Sequence, residues 1–438
     1  MTNYINKKIV IIGLGQTGIS CINFFLERDI IPRIIDTRIS PPNLDKLPKN
    51  LDYHLGSINS SWVLSADLIV VSPGISIRHP VIKQAILAGI EVVGDIEIFC
   101  REAKAPIIAI TGSNGKSTVS TLVSEMAQTA GLVVGLGGNI NLSALELLKN
   151  PAQFYILELS SFQLETTNSL KAAVATILNV TEDHMDRYPL GIQEYQNAKL
   201  KIYKDAHTCI INANDNMTKP PDASSKFCIS FGINKGDYAL QQNNHISWLQ
   251  VRGKKILNTN AIKLIGKHNY SNALVALAIA DIIGIPRADS LRIITTFRGL
   301  PHRFQLIHEK NGVGWINDSK STNVDSTRAA LNSLQVKNNL WLLLGGDSKS
   351  ANFSSLMPYL YKKNINIYCF GQDRARIASI RPEITTCTNT MQEAIYQIIS
   401  KVKPGDMVLL SPACSSLDQF SNFQHRGDCF TQLVKELA

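Results

Sequence analysis

A chain of 438 residues with 45% hydrophobic and 18% charged side chains has the balance of a globular protein and the length of two to four domains, of which we expect three. Its apolar runs fall short of the ~18 residues a membrane span needs, and "IVIIGLG" is too short and glycine-broken for a signal peptide, so we expect a cytoplasmic protein with no membrane partner. The net charge of +9 is carried by dispersed lysines and arginines with no basic run of five, which favours small anionic substrates over nucleic acid.

In chain order, "KIVIIGLG" at 7–14 is a β-branched run ending in glycines, and "GISCINFFLER" behind it has apolar residues at helical spacing. This is a βα unit. "IPRIIDTR" and "ADLIVVSPG" read as further strands and "EVVGDIEIF" as one more leading away, which makes the first ~94 residues a small parallel α/β domain. A second series runs through "APIIAI", "FYILELS", "AVATILNV" and "HTCIINAND", apolar strands separated by helix-length segments, as in a parallel sheet covered on both faces. "GDYALQQNNHISWLQVRGKKI" alternates instead and reads as a small antiparallel patch on one side. After "FRGLPHRFQ", the runs "NNLWLLLGG", "INIYCFG" and "DMVLLSPA" begin a third series. Each ends in glycine, serine or proline, where an α/β sheet presents its ligand loops. The eight cysteines show no C-x-x-C pair and no metal-like spacing with histidine, as expected of reduced core residues.

Two glycine-rich loops carry the chemistry. "GLGQTG", with Gly13, Gly15 and Gly18, follows a strand and opens a helix, and Asp36 ends the next strand. The pattern suits the pyrophosphate and ribose of a nucleotide, nicotinamide or other, and a purely structural turn stays open. "TGSNGKST" at 111–118 also sits between strand and helix, but the position six before Lys116, where a Walker A loop has glycine, is Ile110. Gly112 and Gly115 let the chain wrap anionic oxygens, Lys116 brings a charge to terminal phosphates, and Ser117 or Thr118 offers a hydroxyl to Mg²⁺. ATP is the expected ligand. Glu158 at the end of "FYILELS" and His184 in "TEDHMDRY" are further magnesium candidates, although a lone histidine in such a place is more often structural. A kinase and a ligase both fit these residues.

The run of motifs "TGSNGKST", "LELSSFQLE", "LNVTEDHMDRY", "GKHNYSNALVALA", "GLPHRF", "NDSKSTN", "LLLGGDSKSANF" and "SPACSSLDQF" resembles the Mur ligases of peptidoglycan synthesis, in order and along essentially the whole chain. Among them it looks most like the member that adds D-glutamate. The resemblance implies an α/β protein of three domains. These are a Rossmann-like N-terminal domain over 1–94 for a UDP substrate, a central P-loop ATPase-like parallel sheet over 95–299 for ATP, and a C-terminal Rossmann-like domain over 300–438 for D-glutamate. The shortened phosphate loop is the form this family uses. Folylpolyglutamate synthetases share the last two domains but give no reason for "GLGQTG", and a nucleotide-binding regulator would be expected to lack at least one of Lys116, Glu158 and Lys199.

Residue by residue, the resemblance places Gly15, Thr17, Asp36, Thr37, Arg38 and Gly74 on UDP-N-acetylmuramoyl-L-alanine and Asn139 facing the same substrate. Gly112, Ser113, Asn114, Gly115, Lys116, Ser117 and Thr118 would hold ATP, with Asn272, Arg303 and Asp318 also on the nucleotide. Ser117 and Glu158 would serve one Mg²⁺, and His184 with Lys199, the lysine as its CO₂ adduct, a second. Thr322, Lys349, Ser416 and Phe423 would frame D-glutamate. The implied reaction runs through an acyl phosphate on the alanyl carboxylate, attacked by the amine of D-glutamate, with Lys116, Lys199, His184, Glu158 and the metals spreading the charge. A monomer is expected.

Overall fold

Four isoleucine- or valine-bearing runs and the short edge segment Tyr53–Leu55 become the strands of the first sheet: β1 Ile9–Ile12, β2 Arg33–Asp36, β3 Tyr53–Leu55, β4 Leu68–Val71 and β5 Glu91–Val93. The computed structural model describes residues 4–222, 227–242, 247–264, 266–334, 336–349, 351–361 and 364–438. The five strands are all parallel in the order β3-β2-β1-β4-β5, so the order reverses between β1 and β4. Ligands of such sheets bind at that crevice, and the "GLGQTG" loop leaves β1 there. The stretch "EVVGDIEIF" differs from a single strand. Only Glu91–Val93 is extended, and Gly94 caps a helix, Asp95–Glu102, whose first turn holds Asp95 and Glu97. Acids there complement the positive end of the helix dipole, and Ile96 and Phe99 bury one face.

The central sheet has nine strands: β6 Ile107–Thr111, β7 Val134–Gly138, β8 Phe154–Glu158, β9 Ala172–Ile177, β10 Thr208–Asn212, β11 Cys228–Ile233, β12 Tyr238–Gln242, β13 Ser247–Val251 and β14 Lys254–Asn258. Their order is β14-β13-β12-β11-β10-β9-β6-β8-β7. From β7 to β12 neighbours are parallel, and β12, β13 and β14 are antiparallel. The alternating segment is therefore the edge of the main sheet rather than a separate patch, because β12 pairs with β11. Alternation reports one face toward solvent, which an edge hairpin satisfies as well as an isolated one.

The third sheet joins β15 Gln305–Lys310, β16 Val313–Asn317, β17 Leu340–Gly345, β18 Ile365–Phe370, β19 Thr385–Cys387 and β20 Met407–Leu410 in the order β15-β16-β20-β17-β18-β19. Only the β15–β16 hairpin is antiparallel. Leu340, Leu342 and Leu344 face one layer of core and Trp341 and Leu343 the other, the two-sided burial of a covered parallel sheet. The chain forms two compact units. One comprises Met1–Val180, Gln193–Asn258 and Asn272–Ile294 and contains the first two sheets; the other comprises Thr181–Ile192, Thr259–Ser271 and Thr295–Ala438. Among the described residues no helix is long and apolar enough to cross a membrane.

Candidate active site

In the first unit, the loop after β1 is shaped by close approach. A Cβ on Gly18 would lie 1.9 Å from the Gly13 carbonyl oxygen, whereas beside Gly15 and Gly74 there is open space to 4 Å. Gly15 caps the helix Gln16–Leu26 with no side-chain bond, which leaves its first N–H groups toward that space. Thr17 is half-buried on the same first turn, and Thr37 and Arg38 are exposed. Asp36 is buried, and its carboxylate accepts from the Leu14 N–H at 2.7 Å, the Arg38 N–H at 2.9 Å and both ends of the Arg38 guanidinium fork. Burial raises its pKa, but the Arg38 side chain and these two N–H groups outweigh that and hold it below the usual carboxylate value. Asp36 thus builds the glycine loop and aims Arg38 outward.

The shortened phosphate loop leaves β6 between β8 and β9, its two neighbours. Asn179 clamps it: the Ser113 N–H donates to the Asn179 carbonyl at 3.0 Å, the Asn114 N–H to its side-chain oxygen at 2.9 Å, and its side-chain amide to the Asn114 carbonyl at 3.0 Å. Gly115 has φ 90°, and a Cβ there would stand 2.5 Å from the side-chain oxygen of Asn272, so only glycine turns the chain into the helix Lys116–Thr129. That helix has no side-chain cap, and Ser117 and Thr118 are buried in its first turn. The Lys116 ammonium folds back on the Gly112 and Ser113 carbonyls at 2.8 and 3.0 Å. From the helix Ile192–Leu200, fully buried Lys199 reaches the same Gly112 carbonyl at 3.0 Å and lies 4.4 Å from the Tyr195 ring centre. Two ammonium groups therefore converge on one loop. The opposite end of the Lys199 helix is tied to the first domain by an ion pair between Glu194 and Arg78.

Glu158 ends β8 in register with Ile110, beside the start of the loop. Asn139 donates to one Glu158 carboxylate oxygen at 3.0 Å; the other oxygen, Oε2, is buried with no hydrogen-bond partner. Magnesium prefers oxygen donors and keeps several waters. An unpartnered carboxylate oxygen next to a serine-bearing phosphate loop suits it, although among the described residues no group of three or more histidines, cysteines and acids could hold a metal ion.

In the second unit, Asp183 is a hub. It receives Lys349 Nζ at 3.4 Å and the Asn323 side-chain amide at 3.1 Å, and His184 Nε2 lies 3.7 Å from it. Lys349 has φ 49° and His184 φ 57°, left-handed conformations that bulky residues adopt at a cost. Lys349, Asp347 and Arg376 border a polar cleft of about 320 Å³. Asp318 is buried; it accepts from the Phe304 N–H at 3.0 Å and the hydroxyls of Ser321 and Ser411 at 2.5 and 2.8 Å, which fastens the segment that carries Arg303. Burial pushes the Asp318 carboxyl up to about 6. Desolvation, with the Arg303 charge adding to it, lowers the pKa of half-buried His268 to about 4. Thr322, after β16, and Phe423, the first residue of the last helix, are half-buried, and Ser416, after β20, is buried.

Residues 7–94 match the Mur ligase MurD-like N-terminal domain, residues 110–280 the Mur ligase middle domain, and residues 302–414 the Mur ligase glutamate ligase domain. The chain belongs to the Mur ligase family. It is 60% identical over 438 residues, the full length of both chains, to proteins named UDP-N-acetylmuramoylalanine--D-glutamate ligase from Salmonella paratyphi A (strain ATCC 9150 / SARB42) and Escherichia coli (strain K12). In fold it is similar to the MurF ligase of Thermotoga maritima in complex with ADP, with a TM-score of 0.65 at 14% identity over all of both chains. As a Mur ligase it is an ATP-dependent, amide-forming enzyme of peptidoglycan synthesis. Sequence reasoning passed over Asn179, Asp183 and Arg426. Asn179 and Asp183 lie inside "LNVTEDHMDRY", where a polar residue just past an apolar strand is the available signal; buried Arg426 had none.

Proposed function

We propose that this Mur ligase joins the amine of D-glutamate to the alanyl carboxylate of UDP-N-acetylmuramoyl-L-alanine, with ATP activating the carboxylate as an acyl phosphate and ADP and phosphate released. The observation that carries this reading is the convergence of Lys116 and Lys199 on the Gly112 carbonyl, beside the uncapped start of the helix Lys116–Thr129. Two cations and the positive end of a helix without a side-chain cap suit the charge that a carboxylate and a triphosphate bring together. The 60% identity to D-glutamate ligases over the whole chain supports the choice of substrates.

On this reading residues 1–94 receive the UDP substrate, 95–299 ATP and 300–438 D-glutamate. Gly15, Thr17 and Gly74 offer space and N–H groups to the diphosphate, Arg38 reaches outward with Thr37 toward the uracil, and Asp36 orders both. Asn139 faces the sugar-peptide end. Residues 112–118 with Asn272 take the phosphates, and Arg303 and Asp318 order the nucleotide's far end. Thr322, Lys349, Ser416 and Phe423 receive D-glutamate. Magnesium, when bound, would neutralise phosphate oxygens; Ser117 and Glu158 supply oxygen ligands, Lys199 a further one as its carbamate, and His184 a nitrogen. The enzyme would act in the cytoplasm as a monomer with no membrane or nucleic-acid partner. Phosphate release from ATP with UDP-N-acetylmuramoyl-L-alanine, measured in turn with D-glutamate, L-glutamate, L-alanine and meso-diaminopimelate, tests it. Turnover is expected with D-glutamate alone, and preference for any other amino acid overturns the assignment.

A further inference from the structure

The helix Phe423–Leu437 begins at Asn422, whose side chain accepts from the His425 N–H, and carries Arg426 in its first turn. A cation at that end opposes the helix dipole. Arg426 is also 0% exposed, and among the described residues no carboxylate lies within ion-pair distance of it. Burying a charge without a counter-ion is costly unless every donor finds an acceptor. Here the acceptors are neutral. Nε donates to the Ser319 hydroxyl at 3.0 Å, one terminal nitrogen to the Ser319 and Cys414 carbonyls at 2.8 and 3.2 Å, and the other to the Cys414 and Gly345 carbonyls at 3.2 and 3.4 Å. Desolvation lowers its pKa only to about 10, so the group stays charged at neutral pH.

The three acceptor residues sit at or just past the carboxyl ends of β16, β17 and β20, and these strands are adjacent in the order β16-β20-β17. The segments that follow carry Thr322, Lys349 and Ser416. The Ser319 hydroxyl in turn donates to the Phe423 carbonyl at 2.8 Å, which closes the ring. One rigid fork thus touches the base of every segment that carries a residue read as receiving the amino acid. A guanidinium has five donors in one plane, and a lysine has three on a flexible stem.

We propose that Arg426 is a positioning residue for the amino-acid substrate: its guanidinium fixes the spacing of the three strand-end segments that bind D-glutamate and never touches the substrate itself. The proposal rests on the D-glutamate reading above. The two fail differently: an unmodified enzyme that does not use D-glutamate defeats the reading, whereas an unmodified enzyme that does, alongside an Arg426 variant with an unchanged KM for it, defeats the inference.

The test is steady-state kinetics on full-length Arg426→Lys and Ser319→Ala, with thermal unfolding as a check on folding. Arg426→Lys keeps the charge and loses the fork; its KM for D-glutamate is expected to rise at least tenfold, while the KM values for ATP and UDP-N-acetylmuramoyl-L-alanine change less than threefold. Ser319→Ala removes one contact of the fork and should raise the KM for D-glutamate about threefold with the same selectivity. An unchanged KM for D-glutamate in Arg426→Lys, or an equal rise for all three substrates, overturns the proposal. If Arg426→Lys does not fold, Ser319→Ala decides alone: a selective rise upholds the proposal, and its absence overturns it.

Discussion

Asn139 holds Glu158 from two directions: its N–H donates to the Glu158 carbonyl at 2.8 Å and its side-chain amide to Glu158 Oε1 at 3.0 Å. The strand end and the carboxylate are thereby fixed by one residue, and Oε2 is left without a partner.

Glu158→Gln keeps the shape and the acceptor for Asn139 but removes the charge. Phosphate release should fall roughly 10²–10³-fold, the usual loss on removing a preorganised electrostatic group. Stability without metal should not fall, because the substitution replaces a buried carboxylate whose Oε2 has no hydrogen-bond partner by a neutral amide that is less costly to bury. A variant with a near-normal rate would show that the carboxylate is structural.

Lys199 places an ammonium where a metal ligand is proposed, and an ammonium has no lone pair to offer. Addition of CO₂ to the neutral amine makes a carbamate, an oxygen donor suited to Mg²⁺. Lys199→Ala should lose most activity and regain part of it in high concentrations of acetate. Lys199→Arg should stay inactive, since it keeps the charge and forms no adduct. Turnover of both variants with and without acetate is the measurement, and an active arginine variant refutes the carbamate.

Lys349→Ala should raise the KM for D-glutamate and spare that for ATP. Loss of one charge-assisted contact costs roughly 1.5–3 kcal/mol, or roughly 10–150-fold. Part of that lysine's present role is its contact with Asp183 at 3.4 Å, so Asp183→Asn should shift the same KM by a smaller factor. Equal losses for both substrates would place Lys349 elsewhere.

Asp318 gives a pH dependence of stability. Its folded pKa of about 6 lies above the unfolded value of ~3.9, so the folded state holds the proton more tightly. The stabilisation from this group is fully present below pH ~4 and is lost as pH rises through about 6, a span of roughly 3 kcal/mol. Asp318→Asn should therefore gain on the unmodified protein by up to that amount between pH 4 and 7.5. Buried Asp95, also raised to about 6, titrates alike in both and cancels from the difference. Denaturant unfolding across that range checks it, and a difference that does not vary with pH removes Asp318 as the cause.

The phosphate loop was legible because its chemistry is local: glycines, a lysine and two hydroxyls must follow one another to wrap an anion at a helix start. Asp36 was legible in place but not in use. Its position at the end of β2 suggests a ribose contact, and the structure commits its oxygens to Leu14 and Arg38. Asp95 shows the same limit for backbone. "EVVGDIEIF" alternates acidic and apolar residues over Asp95–Ile98 as a half-buried strand would, and so short a run does not distinguish a strand from a helix.

Periodic apolar runs that end in glycine, serine or proline determined, from the sequence alone, that this chain builds mainly parallel sheets whose strands run into turn-forming loops, since strand propensity and turn chemistry act between near neighbours. The tertiary structure alone decided that the β12–β14 strands extend the central sheet, that Asp183 gathers Lys349 and Asn323 across more than a hundred residues, and that Arg426 lies beneath three loops. Such pairings depend on which distant backbone oxygens remain unsatisfied once the strands have aligned, and a buried donor meets whichever of them folding brings within 3.5 Å of it.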